Sequence, residues 1–148
     1  MPSSGRAGAT ARPSAPPADN AEIESCRVNV EQIDFITIPT RDASRAVEFY
    51  RDVLGLPESE FSEGEVEAPN VTLGFWNPEE QGIEFKPNEA GFAIRVADVA
   101  EARRELEERG VEFMGDTYDS SVCHMGFFKD PDGNVVILHR RYAPRVPR

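Results

Sequence analysis

The chain has 148 residues, enough for one domain with a substantial core, and its formal net charge is −11. This charge favours solubility and argues against nucleic acid or an anionic membrane surface as the partner. Cys26 and Cys123 are too few for a disulfide framework, and no apolar run approaches the ~20 residues that span a bilayer. We therefore expect a cytoplasmic protein.

The two ends of the chain differ in composition from its centre. Residues 1–30 are rich in Ala, Pro, Ser and Gly and lack the apolar block of a secretory signal, so we predict a disordered tail. Residues 143–148 are also expected to be loose. A single domain is predicted over residues 31–142.

The first half of this domain reads as a strand, a helix and three further strands. Residues 33–38 alternate with the period of a strand. Asp42 can cap a helix whose apolar residues recur at i, i+3 and i+4 spacing, and Gly55 can end it. The three strand candidates that follow are at about 58–62, 68–76 and 83–87.

The second half repeats this order. A strand at 91–96 leads to a helix that Asp98 can cap and Gly110 can end, and three strand candidates follow at 111–118, 122–128 and 134–140. We therefore predict an α+β fold of two βαβββ units, at about 31–87 and 90–140. Each helix is expected to cover one face of its own sheet. The opposite faces are also apolar, and leaving them exposed to water would be unfavourable. Two curved mixed sheets around a shared cleft, with the helices outside, are expected.

A repeated phrase fixes the predicted alignment of the two units. LGFWNP at 73–78 is echoed by MGFFKDP at 125–131, and each copy leads through a glycine into a short apolar strand. The alignment places Phe35 on Gly91 and Glu84 on Ile137, on the first and last strands of the two units.

Two further phrases carry a family resemblance. FYRDVLGL at 49–56 and FKDPDGN at 128–134, in this arrangement, resemble the vicinal oxygen chelate superfamily. It comprises glyoxalases, bleomycin-resistance proteins and extradiol dioxygenases built from two βαβββ modules. The resemblance covers about residues 31–142 and implies a small-molecule cleft and, by analogy, a homodimer. The aspartates of the second phrase are interpreted as turn formers.

The resemblance also implies where a metal would be held. In metal-dependent members, His is usual at the position of Phe35, Glu at that of Glu84, His at that of Gly91 and Glu at that of Ile137. Only Glu84 retains a ligand, because Phe, Gly and Ile have no side-chain donor for a divalent cation. We therefore expect that the usual metal centre is absent and that no cofactor binds.

Strand alternation predicts which side chains line the cleft. Leu73, Phe75, Met125 and Phe127 suit the helix-covered side, so their neighbours would face the cavity. The candidate ligand-binding residues are Phe35, Trp76, Arg95, His124, Phe128, Ile137 and His139. Aromatic rings with a few polar groups predict a small, flat aromatic or heterocyclic ligand.

Each polar candidate also has a structural interpretation. Glu84 can pair with a nearby Lys or Arg, His124 can be a satisfied structural histidine, and His139 can lie in water at the rim. Trp76 and Phe128 are more often core residues than a platform for a ligand.

Three functions are consistent with these residues. The first is a metal-free binding protein that holds a drug or metabolite without changing it. The second is a lyase, isomerase or dioxygenase-related enzyme, in which Glu84 or His124 is the general base, or in which Glu84, His124 and His139 hold a relocated iron, zinc or manganese ion. The third is a structural or regulatory module whose cleft is filled by its own side chains.

Overall fold

The computed structural model describes residues 28–146, and the compact unit of the chain begins at Ile33. The N-terminal tail predicted over 1–30 lies almost wholly outside the described residues, as do the last two residues of the C-terminal segment. Within 28–146, neither α-helix is long and apolar enough to cross a membrane.

The first unit contains a three-stranded sheet and one helix. Its elements are β1 (Phe35–Pro39), α1 (Ala43–Asp52), β2 (Glu65–Glu67), β3 (Thr72–Trp76) and a short 3-10 helix (Pro78–Gln81). The strand order is β1-β3-β2, with β1 parallel to β3. The carboxylate of Asp42 accepts a hydrogen bond from the backbone N–H of Arg45 at 3.1 Å, as expected of an N-cap.

The second unit contains a four-stranded sheet and one helix. Its elements are β4 (Phe92–Arg95), α2 (Val99–Glu108), β5 (Tyr118–Asp119), β6 (Cys123–Lys129) and β7 (Val135–Arg141). The strand order is β4-β7-β6-β5, with β4 parallel to β7. Asp98 caps α2 by accepting from the N–H of Glu101 at 2.8 Å. The predicted α+β fold with two separate mixed sheets and few helices is confirmed.

Three predicted strands are wrong. Residues 83–87 are irregular, and 58–62 contribute only an isolated bridge from Glu58 to Val66. The strand predicted at 111–118 is reduced to a bridge from Phe113 to Phe128 and to Tyr118, the first residue of β5. The strand expected at 68–76 begins at Thr72, after a turn that the Ala68 N–H closes on the Val71 carbonyl. The last strand of the first sheet is β3, which pairs with β1, and residues 83–87 follow it outside the sheet.

This pairing corrects the alignment of the repeat. The N–H of Thr40 donates to the Trp76 carbonyl at the end of β3, and the N–H of Val96 donates to the His139 carbonyl in β7. β3 is therefore the counterpart of β7, and the phrase at 73–78 matches residues 136–141, not 125–131. Gly74, rather than Glu84, is the counterpart of Ile137.

One hydrophobic core joins the two units. Side chains from the helix-facing sides of both sheets and from both helices form a single buried cluster. Tyr50 of α1, fully buried, stacks at 6.4 Å between ring centroids on Phe92 of β4 and contacts Phe75 of β3 at 4.8 Å. The cluster also includes Ile38, Val47, Val66, Leu73, Val99, Leu106, Phe128, Val136 and Leu138.

A polar turn between β6 and β7 ties the units together beside this core. The buried Asp130 carboxylate accepts from the Tyr50 hydroxyl at 2.9 Å and from Asn134 Nδ2 at 2.9 Å. Asn134 Nδ2 also donates to the Pro39 carbonyl at 2.8 Å. The Thr40 hydroxyl donates to Asp132 at 2.6 Å. Asp130 does form the turn, through the N–H groups of Asp132 and Asn134, and it also connects the two units.

The environment of Tyr50 opposes ionisation of its phenol. Burial is the largest cause, and the adjacent Asp130 carboxylate adds to it, so the pKa of Tyr50 is raised far above its usual value near 10. The neutral hydroxyl is thereby retained as the donor to Asp130.

We expect Tyr50→Phe to lower the free energy of unfolding by about 1–3 kcal/mol, because it removes a buried hydrogen bond to a charged group. Denaturant unfolding measures this loss. Tyr142→Phe is the matched control, since its hydroxyl also donates to an aspartate, Asp119 at 2.8 Å, but on the exposed surface. Equal losses in the two variants would contradict the role given to the buried pair.

The raised pKa of Tyr50 also predicts a pH dependence. The folded state retains the phenolic proton above pH 10 while the unfolded chain loses it, so this contribution to stability is present below pH 10 and falls above it by about 1.4 kcal/mol per pH unit. Unfolding measured from pH 8 to 11 should show a steeper loss in the wild type than in Tyr50→Phe. Parallel curves for the two proteins would refute the linkage, because all other titrating groups are shared.

Candidate functional site

An open cavity of about 470 Å³ lies on the first sheet, on the side that α1 does not cover. This volume is within the range of small-molecule sites. The lining residues belong to β1, to β3 and to the segment that enters β2: Phe35, Thr37, Glu63, Gly64, Glu65, Gly74, Phe75 and Trp76.

Strand alternation explains why aromatic rings line this cavity. Ile38 and Leu73 point to the helix side and are buried, so Phe35, Thr37 and Trp76 point to the open side. Phe35 is 62% exposed and Trp76 is 42% exposed. These two predicted ligand-binding residues therefore lie together in one cavity, and both rings have surface left to bury.

Gly74 keeps the floor of the cavity open. It lies opposite Thr37 of β1 and opposite Glu65 of β2. A Cβ built on Gly74 would touch only the Glu65 side chain, whose Cγ and Oε1 would lie 3.9 Å away. A glycine inside a strand gives up packing and conformational stability, and close approach of a ligand is one reason to retain it.

Carboxylates give the cavity a negative charge. Glu63 and Glu65 line it, and within residues 28–146 neither side chain has a hydrogen bond or an ion pair. Glu67 is on the same face of β2 and accepts from the Thr72 hydroxyl at 2.7 Å. The unpaired carboxylates are therefore free to contact a ligand.

Three other predicted residues are together on the open face of the second sheet. Arg95 lies opposite His139, and Ala93 lies opposite Ile137 in the pairing of β4 with β7. No residue of the second unit lines the cavity on the first sheet, among those that the structure describes. The cleft shared between the two sheets therefore stays a prediction.

Phe128 has the opposite orientation to the one predicted. It lies opposite Val136, is fully buried in the core and contacts Phe113 at 5.3 Å between ring centroids. Met125 and Phe127 are on the open face instead, next to His139 and Ile137. The predicted orientation is wrong because it was transferred from β3, which is not the counterpart of β6.

His124 shares the core-side face of β6 with Phe128 and does not point to the open face. Its Nε2 is 3.4 Å from Asp119 Oδ2, and its ring lies 4.7 Å from that of Tyr142. A hydrogen bond from the Tyr142 hydroxyl, with one from the Ser121 N–H, holds the pKa of Asp119 below its usual value. The structural interpretation of His124 is the one that these contacts support.

The structure does not bring together Glu84, His124 and His139, the residues predicted to hold a relocated metal ion. His124 and His139 lie on opposite faces of the second sheet, and Glu84 is exposed in the irregular segment before β4. Within residues 28–146, no group of three His, Cys, Asp or Glu side chains is arranged to hold a metal ion. Neither Glu84 nor His124, the two alternative general bases, lines the cavity on the first sheet.

The family resemblance implies four positions for metal ligands, and the corrected repeat replaces Glu84 by Gly74 in that set. The four residues are Phe35, Gly74, Gly91 and Ile137, and none offers a side-chain donor for a divalent cation. Gly91 has a positive φ of 84°, and a Cβ there would approach Val135 Cγ1 to 2.9 Å. These residues do not fit a metal ion.

Glu65 and Gly74 are not among the residues predicted from the sequence to line a cleft. The alternation of Glu65, Val66 and Glu67 is a strand signal with two carboxylates on one face, but it is only three residues long. Gly74 was interpreted through the repeated phrase instead of through the pairing of β3 with β1.

Comparison with known proteins agrees with this architecture. A model of the Glyoxalase/Bleomycin resistance protein/Dioxygenase superfamily matches residues 32–138. No curated protein matches the chain. A member of the same superfamily from Sphaerobacter thermophilus is 25% identical, with a TM-score of 0.64 over 74% of this chain and 97% of that chain.

Two further solved structures share the fold. The antibiotic-binding protein TnmS3 from Streptomyces sp. CB03234 is 20% identical, with a TM-score of 0.61 over 78% of this chain and 99% of that one. A lactoylglutathione lyase from Agrobacterium tumefaciens is 19% identical, with a TM-score of 0.63 over 75% and 94%. With the family match over most of the domain, the chain belongs to the glyoxalase, bleomycin-resistance and dioxygenase superfamily.

Proposed function

We propose that this protein binds a small, flat organic molecule in the cavity on the first sheet, without a metal ion, as a drug- or metabolite-binding member of its superfamily. The observation that carries the proposal is the pair of exposed rings, Phe35 and Trp76, in one open cavity of about 470 Å³. A protein similar in fold is an antibiotic-binding protein, which is consistent with this use of the fold.

The spacing of the two rings supports a flat ligand. Trp76 lies opposite Pro39, four residues along β1 from Phe35, which is about 13 Å at the strand rise. Thr37 and Gly74 span the gap between them and carry little side-chain bulk. A planar ring system can therefore lie on the Gly74 floor and contact an aromatic side chain at each end. Burying each aromatic ring is favourable by about 1.5–3 kcal/mol.

The alternatives have less support in the geometry. The predicted general bases, Glu84 and His124, are outside the cavity, so a lyase or isomerase that uses them has no assembled site. The module with a closed cleft would require Phe35 to fill the cavity, whereas its ring is 62% exposed.

The proposal includes a homodimer and a cytoplasmic location. Met125, Phe127 and Ile137 leave half-buried apolar surface on the open face of the second sheet, next to Arg95. A second copy of the chain can cover this face and leave the cavity on the first sheet accessible.

For ligand binding, we expect a thermal-shift screen of aromatic metabolites and antibiotics to yield a compound that binds saturably. Trp76 is the single tryptophan of the chain, so its fluorescence reports directly on the cavity. Phe35→Ala should weaken binding of that compound about tenfold or more, because it removes the burial of one ring.

Phe61→Ala is the matched control, since Phe61 is 95% exposed and outside the cavity lining. A screen without any saturable binder, or an equal loss of affinity in the two variants, would contradict the proposed function.

For assembly, we expect light scattering during gel filtration to give twice the chain mass of 16.4 kDa. Ile137→Glu should shift the protein toward the monomer, because it buries a charge in the proposed contact. A wild type that stays monomeric at tens of micromolar would refute the dimer without affecting the binding proposal.

A further inference from the structure

We infer that the ligand of this cavity is an organic cation, namely a flat aromatic or heteroaromatic ring system that carries a positive charge. The inference rests on the proposed function, since it names the chemical class that the same cavity selects. Three features carry it: the position of Glu65, the two exposed rings and the distribution of charge between the two sheets.

The Glu65 carboxylate lies over the floor of the cavity. Glu65 is opposite Gly74, and its Oε1 would be 3.9 Å from a Cβ at that glycine. The residue is partly buried, and within residues 28–146 its carboxylate has no hydrogen bond or ion pair. Removing part of the hydration of a carboxylate without a partner is unfavourable, and a ligand cation above Gly74 would supply the missing partner.

The aromatic residues add a second attraction for a cation. Phe35 and Trp76 line the cavity with the Glu63 and Glu65 carboxylates. The faces of aromatic rings attract cations, and tryptophan does so most strongly. A charged ring system therefore gains from stacking and from the carboxylates at once, whereas a neutral ring gains only from stacking.

No cationic side chain of the described protein competes for this charge. None of the lining residues is Lys, Arg or His. Two arginines of the first unit have other partners: Arg41 pairs with Glu79 at 3.4 Å, and Arg51 pairs with Asp52 at 2.7 Å. Within residues 28–146, no Lys, Arg or His side chain lines the cavity to neutralise its negative charge.

The net charge of −11 does not by itself explain this distribution. The open face of the second sheet carries Arg95 and Arg141, which share a side with His139. The two open faces thus differ in the sign of their charge. The carboxylates on the first sheet form a local feature beside the aromatic rings.

The test compares three two-ring probes of similar size and different charge: N-methylquinolinium, quinoline and 1-naphthoate. Isothermal titration calorimetry at pH 7.5 avoids optical overlap with Trp76. We expect N-methylquinolinium to bind at least tenfold more tightly than quinoline, and 1-naphthoate to bind most weakly. Added salt should reduce the difference, because it screens the charges.

Glu65→Gln keeps the shape of the side chain and removes its charge. It should weaken the binding of N-methylquinolinium about tenfold and leave that of quinoline unchanged. Glu105→Gln changes the net charge equally on the exposed surface of α2 and should leave the binding of both probes unchanged.

The outcomes separate this inference from the proposed function. Equal affinity for the three probes would overturn the preference for a cation while leaving a binding cavity. Absence of binding by all three would overturn both. Equal losses in Glu65→Gln and Glu105→Gln would show a general effect of net charge and would also overturn the inference.

Discussion

The arrangement of the two units depends on one buried carboxylate. All the hydrogen bonds of Asp130 come from inside the protein: its Oδ1 accepts from the N–H groups of Asp132 and Asn134, and its Oδ2 accepts from Asn134 Nδ2 and the Tyr50 hydroxyl. A buried charge without such donors would be strongly destabilising. Because Tyr50 is on α1 and Asp130 follows β6, satisfying this group positions the first unit against the second. The sheet faces left open by that contact are the ones available for ligands.

The features that could be predicted from the sequence are local. Both helix caps, the α+β class and the alternation in β1 each depend on a few adjacent residues, and the structure confirms them. The identity of β3 could not be predicted, because a strand is defined by its partners and β1 lies more than thirty residues away. The similar phrases at 73–78 and 125–131 suggested a counterpart that the hydrogen bonds do not support. A short aromatic sequence of this kind can occur in any of several strands. The hydrogen bonds of a parallel strand pair, in contrast, fix one register between the two strands.

The same error explains why some predicted side-chain orientations agree with the structure and others do not. Phe35 and Trp76 depend only on alternation within β1 and β3, and both lie in the cavity. Phe128 and His124 depended on the false equivalence of β6 with β3, and a shift of one residue moves every side chain of a strand to the other face. In the structure, Gly126 is on the core side of β6, where a Cβ would be 3.1 Å from the Phe113 ring.

Two of the positions at which the family resemblance implies a metal ligand are glycines with different surroundings. At Gly91 the positive φ and the 2.9 Å approach to Val135 Cγ1 mean that a histidine would require movement of β7. At Gly74 there is space for a side chain, but Glu65 of the adjacent strand already lies over it. Restoring donors at these positions would therefore disturb packing in the second unit and fill the floor in the first. A face with two exposed rings and a partly buried carboxylate is suited to attract an organic cation.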